Sequence, residues 1–164
     1  MVTLTGFMGS GKTTVGKVLA DFLGCPFMDL DDLIVKKAGK SIPDIFAQDG
    51  EAAFRQLEAR ILRQQVEKYA ESTVVLALGG GAILAPASAA LLHDKTVCIY
   101  LRATLDTLLG RLAGETAGRP LADDALAARL ASREPIYEET AHVIIDTDGL
   151  SPDEVADEII ISAL

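Results

Sequence analysis

Gly6-Phe-Met-Gly-Ser-Gly-Lys12-Thr13 fits the pattern G-x-x-x-x-G-K-[ST] in full, between an apolar run, Met1–Thr5, and an amphipathic stretch, Thr13–Leu23. No other part of the chain restricts its fold as much. The pattern has a mechanism only where a strand feeds a glycine-rich loop that opens into a helix. There the glycines let several backbone N–H groups turn onto a phosphate at the positive end of the helix. Lys12 adds a point charge at the outer phosphates, and the Thr13 hydroxyl can hold Mg2+. Gly9, Ser10, Gly11, Lys12, Thr13 and Thr14 are therefore expected to bind a nucleoside triphosphate, with Thr13 as a ligand of the metal.

Five short apolar runs read as strands: Met1–Thr5, Pro26–Met28, Thr73–Leu78, Thr96–Leu101 and His142–Asp146. Helical patterns lie between them. Thr13–Leu23 puts Val15, Leu19, Phe22 and Leu23 on one face, and a short helix follows at Asp31–Lys37. Ile42 to Tyr69 holds two helices, with Pro43 in the first turn and a break at Asp49-Gly50. Helices over Thr104–Ala113 and Ala125–Tyr137 come next. The last begins with Ser151 as N-cap, Pro152 at the first helical position and Glu154 at the third, and runs to Ile161. Strands alternating with helices predict a parallel sheet covered on both faces. With no repeat or linker, residues 1–164 read as a single domain.

The chain carries 15 Lys+Arg against 24 Asp+Glu, a net charge of −9. Nine of those acids fall between Glu134 and Glu158, a stretch without Lys or Arg that reads as solvated surface. Such an acidic balance argues against nucleic-acid binding, which needs an excess of basic groups on one face. It allows a small anionic ligand, because a few basic groups can reverse the field inside a cleft. No apolar run reaches the length of a membrane span and no signal-type N-terminus is present, so a cytoplasmic protein is expected. Cys25 and Cys98 read as reduced core thiols, and His93 and His142 match no metal spacing. The lack of a long exposed apolar stripe favours a monomer.

Three further features carry chemistry. Phe27-Met28-Asp29-Leu30-Asp31-Asp32 follows the second strand, and ligands of open parallel sheets sit beyond the carboxyl ends of strands. An i, i+2 spacing points Asp29 and Asp31 to one side if the chain stays extended. One carboxylate could then serve the metal through water and the other an acceptor hydroxyl, with Asp32 as cap or surface. Gly79-Gly80-Gly81 ends the third strand, and a third glycine suggests close backbone approach to a ligand, a structural turn being the alternative. Gly114 to Asp124 holds two Gly, one Pro and four charged residues without periodicity, which reads as a surface loop or as a lid that closes over a ligand. The guanine-reading N-K-x-D is absent, and the D-x-x-G matches at Asp21–Gly24 and Asp146–Gly149 are ascribed to chance.

Taken in order, these pieces resemble the shikimate kinases, within the nucleoside-monophosphate-kinase-like P-loop group. The resemblance runs from Thr5 to about Leu164. Besides the phosphate loop it rests on Asp29-Leu-Asp31, Ser41-Ile-Pro-Asp-Ile-Phe46, Gly50-Glu51, Phe54-Arg55, Leu78-Gly-Gly-Gly-Ala82, Arg119-Pro-Leu121 and Arg133-Glu-Pro-x-Tyr137. It implies a three-layer α/β/α P-loop domain with a five-stranded parallel sheet in the order 2-3-1-4-5. Substrate-binding helices would span about 31–62 and a mobile lid about 112–124. The implied reaction is transfer of the γ-phosphoryl group of ATP, with Mg2+, to the 3-hydroxyl of shikimate.

The resemblance also implies a division of labour. Asp31 would lie on the shikimate hydroxyls as base or orienter, and Asp29 would support Mg2+ through water. Arg55 and Arg133 would grip the substrate carboxylate, with the Gly79–Gly81 backbone beside them. Arg119 would close on the phosphates and Arg111 would face the adenine. A carboxylated acceptor suits planar bidentate donors, which Arg55 and Arg133 supply. From Arg111 to Arg119 is eight steps, one more than in family members, and Asp146–Pro152 lacks an arginine that some members carry. The rivals are a kinase for another small acceptor, such as gluconate or a nucleoside monophosphate, and a non-catalytic nucleotide-binding module.

Overall fold

The computed structural model describes residues 1–115 and 123–164. In chain order the elements are β1 (Val2–Thr5), α1 (Lys12–Leu23), β2 (Phe27–Asp29), α2 (Leu30–Ala38), α3 (Ile42–Lys68), β3 (Val75–Ala77), α4 (Pro86–Lys95), β4 (Val97–Arg102), α5 (Leu105–Glu115), α6 (Asp123–Thr140), β5 (Val143–Asp146) and α7 (Pro152–Ala163). The five strands form one parallel sheet in the order β2-β3-β1-β4-β5. This is the expected sheet, with each strand within a residue or two of its predicted bounds.

Strand periodicity sorts the core into two layers. Along β4, Val97, Ile99 and Leu101 face α1 and α7, whereas Cys98 and Tyr100 face the layer built from α2 to α6. Val2 and Leu4 of β1 point to the first layer. Thr3 and Thr5 alternate with them and are fully buried. The Thr3 hydroxyl pairs with that of Thr96 at 2.8 Å. Both cysteines are free, and Cys98 is buried. The rings of His93 and His142 stack at 4.6 Å, their Nδ1 atoms bonded to the Thr140 carbonyl and the Cys98 N–H.

Several helix bounds depart from the sequence reading. Helix α4 was not foreseen: its N-cap, Ala85, offers no side-chain bond, and only Ser88 and Leu92 are buried, so neither a cap nor an apolar stripe marks it. Phe22 has the spacing of the buried face of α1 but is exposed in the last turn, where Gly16 and Ala20 do the packing instead. Helix α6 starts before Ala125 and runs through Pro135 to Thr140. The break at Gly50 is as expected, with φ 85° and ψ 167° separating two helical segments of α3. At α7 the capping box forms, the Ser151 hydroxyl accepting from the Glu154 N–H while the Glu154 carboxylate accepts from the Ser151 N–H. Of the expected lid, 112–115 belong to α5 and 123–124 to α6. The remainder, Arg119 included, lies outside the described residues.

The Thr5 hydroxyl is buried and has no hydrogen-bond partner among the described residues. A buried donor left unmade costs about 1–3 kcal/mol, whereas Val has nearly the same shape and no polar atom. Thr5→Val is therefore expected to raise stability by about 1–2 kcal/mol in urea unfolding. An unchanged or lower midpoint would show that the hydroxyl is satisfied by ordered water.

Candidate active site

The site forms where the carboxyl ends of β1, β2 and β3 meet. Leaving β1, the chain turns at Gly6, Gly9 and Gly11, all with positive φ. A side chain on Gly6 would also strike the Leu101 carbonyl, at 2.6 Å, and the Ser10 hydroxyl, at 2.8 Å. Gly11 is the N-cap of α1 and supplies no side-chain acceptor, and the first turn holds no acid. The leading N–H groups of α1 are thus left for an anion. Lys12 Nζ donates to the carbonyls of Gly6, at 2.9 Å, and Phe7, at 2.8 Å. Burial pulls its pKa down to about 8, against the charges of Asp31 and Asp29.

Asp29 and Asp31 come together here, but not by an extended chain. The backbone turns helical at Leu30, and Asp29 is the N-cap of α2: its Oδ1 accepts from the Asp31 N–H at 3.0 Å. Its Oδ2 accepts from the Thr13 hydroxyl at 2.9 Å. The cap is therefore Asp29, and Asp32 is exposed in the first turn. Asp31, in the same turn, is half-buried beside Gly79, where a Cβ would lie 2.9 Å from its Oδ1. Burial raises the Asp31 pKa, helped by the Asp29 charge and opposed by Lys12.

The glycine triplet is the opposite wall. None of its members has positive φ, so glycine is there for space rather than for backbone freedom. A Cβ on Gly81 would lie 2.5 Å from Arg55 Nη1. The Gly80 carbonyl accepts from the Tyr137 hydroxyl at 2.5 Å and from Arg133 Nη1 at 3.4 Å. Protein side chains thus come close to this run. Arg133 also sits over the Phe7 ring, 5.8 Å from its centroid, and Arg55 over Phe54 at 5.1 Å. Phe54 is core, and the exposed Phe46 lies against it, ring centroids 4.6 Å apart and planes tilted by 33°.

Sequence reading missed Glu58 and Thr147. Glu58 is buried, accepts from Arg55 Nη1 at 2.7 Å and would lie 3.3 Å from a Cβ on Gly79. Its desolvation raises its pKa against the pull of Arg55. The i, i+3 spacing from Arg55 was the available signal. Arg111 donates to Gly9 O at 3.3 Å, to Thr147 Oγ1 at 3.1 Å and to Thr147 O at 2.9 Å. It lines a cleft of about 480 Å³ between the phosphate loop and Thr147, Leu150, Pro152 and Val155. Nothing in the sequence marks Thr147.

The Thr13 hydroxyl and the Asp29 carboxylate form a hard oxygen pair suited to Mg2+, which keeps water and substrate phosphates as its other ligands. Among the described residues no cluster of three or more His, Cys, Asp or Glu could hold a metal alone. The arrangement can hold a polyphosphate at the α1 N-terminus and a carboxylated acceptor between Arg55 and Arg133, with Asp31 between the two.

Comparison with known proteins points to one family. The shikimate kinase family model matches residues 8–163. A shikimate kinase of Enterococcus faecalis is 42% identical over 164 residues, covering 97% of this chain and 95% of that one. One from Geobacter sulfurreducens is 45% identical over 163 residues, covering 96% and 87%. The structure of shikimate kinase from Acinetobacter baumannii in complex with shikimate superposes with a TM-score of 0.87 at 35% identity, over 97% of this chain and 89% of that one.

The lowered pKa of Lys12 has a measurable consequence. Its ammonium is the form that attracts phosphate, and in the free protein it is lost above about pH 8. The affinity for ADP is therefore expected to fall about tenfold between about pH 7.5 and about pH 9, as binding is linked to that proton. Calorimetric titration would read it, with Lys12→Arg as a variant that stays charged and gives a flat profile. A flat profile in the native protein would overturn the assignment.

Proposed function

This chain belongs to the shikimate kinase family, and we propose that it carries out the family's reaction with the residues assembled above. It is an ATP-dependent phosphotransferase acting on an alcohol group of shikimate. The observation that carries the residue assignment is the convergence of Arg55 and Arg133 on the Gly80-Gly81 turn, with Asp31 between that turn and Lys12.

In this reading Arg55 and Arg133 hold the shikimate carboxylate and aim the 3-hydroxyl at Asp31. Asp31 accepts the hydroxyl proton as the oxygen bonds to the γ-phosphorus and the bond from phosphorus to the β–γ bridging oxygen breaks. Little else is asked of the protein, since phosphoryl transfer is mostly positioning and charge neutralisation. Lys12 and the α1 N–H groups, with Gly9, Ser10, Gly11, Thr13 and Thr14, answer the charge on the phosphates. Thr13, and Asp29 through water, would hold Mg2+, which when bound neutralises the β- and γ-phosphates. Arg111 faces the nucleotide cleft, and Arg119 is assigned the closing role on the phosphates. The chain is read as one domain, with substrate-binding helices at 31–62 and a lid at 112–124, working as a cytoplasmic monomer. Among the described residues, no helix is long and apolar enough to cross a membrane.

ADP release with Mg-ATP and a panel of shikimate, quinate, gluconate, AMP and CMP tests the reaction. Turnover is expected with shikimate. Arg55→Ala and Arg133→Ala should each raise KM for shikimate about 10- to 100-fold, the worth of a charge-assisted contact. Asp31→Asn should lower kcat about 10²- to 10⁴-fold, as for loss of a positioned base. Unchanged KM in both arginine variants would sink the carboxylate grip.

A further inference from the structure

Asp148 has no part in the assignments above, yet three donors on one neighbouring segment converge on it. Its carboxylate accepts from the Thr104 N–H at 3.1 and 3.2 Å, from the Thr104 hydroxyl at 2.7 Å and from the Thr107 hydroxyl. Thr104 starts α5, its carbonyl accepting from the Leu108 N–H at 3.0 Å. A carboxylate from the β5–α7 turn thus holds the first turn of α5, which suits the positive end of the helix. The next residue back, Thr147, takes two of the bonds from Arg111. Arg111 lies two helical turns beyond Thr104, about 10 Å along the axis at 1.5 Å per residue.

Helix α5 is therefore fixed to two consecutive residues at two points along its length. Two such points define both the position and the tilt of a rigid helix, whereas one would leave it free to pivot. Arg111 in turn donates to Gly9 O, so the same helix reaches the phosphate loop. A local cap would have satisfied the N-terminus of α5 without any of this, and Thr104 already supplies one in its own hydroxyl, which accepts from the Thr107 N–H at 3.4 Å.

We propose that Asp148 is a positioning residue of the nucleotide site: by holding the first turn of α5 to the β5–α7 turn, it sets where Arg111 stands in the cleft. The inference rests on the reading of that cleft as the nucleotide site. Asp148 and Arg111 share no hydrogen bond, but they are linked through the rigid helix on one side and the Thr147–Asp148 peptide on the other, and the Arg111 charge acts on the Asp148 carboxylate, so loss of Asp148 is felt at Arg111. The shikimate grip is built on α3, α6 and the glycine turn, and none of its groups bonds Asp148 or Arg111.

The test compares the native protein with Asp148→Ala, Asp148→Asn, Arg111→Ala and the Asp148→Ala/Arg111→Ala pair. ADP dissociation constants come from calorimetry, and KM for each substrate from steady-state turnover. Asp148→Ala is expected to raise the ADP dissociation constant and KM for ATP about three- to tenfold. It should leave KM for shikimate unchanged. Asp148→Asn, which keeps one acceptor oxygen, should recover part of the loss, and Asp148→Ala should add nothing once Arg111 is gone. Unaltered nucleotide binding in Asp148→Ala would overturn the inference. So would equal rises in both KM values with a lowered melting temperature, or full additivity with Arg111→Ala. Failure of the native protein to bind ADP would overturn the reading of the cleft, and the inference with it.

Discussion

The Asp29 carboxylate accepts from the Thr13 hydroxyl through one oxygen and from the Asp31 N–H through the other, and the geometry of the cleft depends on this pair of bonds. The first bond ties β2 to the phosphate loop. The second caps α2 and fixes where that helix starts. Moving the start by one residue would swing Asp31 by about 100° around the helix, away from Gly79. An N-cap is worth about 1 kcal/mol to a helix. Here its larger consequence is that the carboxylate set beside the Thr13 hydroxyl also aims the Asp31 carboxylate at the glycine turn. Capping, expected of Asp32, is done by Asp29, which leaves its other oxygen on the Thr13 hydroxyl.

A chain of net charge −9 reaches anionic substrates by concentrating its useful cations in one place. Lys12, Arg55, Arg111 and Arg133 come from three helices and the phosphate loop. Each is already held: Lys12 by loop carbonyls, Arg55 by Glu58, Arg111 by Thr147 and Gly9, Arg133 by Gly80. Partners of this kind fix a long side chain before the ligand arrives, so less rotamer freedom remains to be lost on binding. The buried Glu58 has a further effect. It offsets the Arg55 charge in a poorly solvated wall, where an unpaired guanidinium would be costly.

How far the sequence was legible follows from the range of each interaction. The phosphate loop, the break at Gly50 and the Ser151 cap are set within about one turn of chain, and their residues announce them. Helix α4 has a weaker local mark, Pro86 at its first position alone, because Ala85 offers no side-chain cap and only two of its residues are buried. Arg55 and Arg133 could not be told from surface charges by spacing alone. The partners that distinguish them, Gly81 and Gly80, are 26 and 53 residues away. Only the ordered family pattern carried that long-range information. Thr147 and Asp148 fell inside a stretch that read as a chance D-x-x-G match, since their partners on α5 lie some 40 residues back.

The glycine triplet shows how a bare turn lets side chains from several elements meet. No φ in the run is positive, so a left-handed backbone is not what calls for glycine there. Two of the positions are crowded by charged side chains, Gly79 by Asp31 and Glu58 and Gly81 by the Arg55 guanidinium, whereas a Cβ on Gly80 would make ordinary contact with the Gly6 carbonyl and Tyr137. Those neighbours come from the phosphate loop, α2, α3 and α6, so the turn is where the separate parts of the cleft touch. A methyl group at Gly81 would have to displace the Arg55 guanidinium, and one at Gly79 would have to displace the Asp31 carboxylate. Bare backbone at these two positions therefore lets an acid from α2 and a base from α3 close on the same turn, while the Gly80 carbonyl between them bonds Tyr137 and Arg133 of α6.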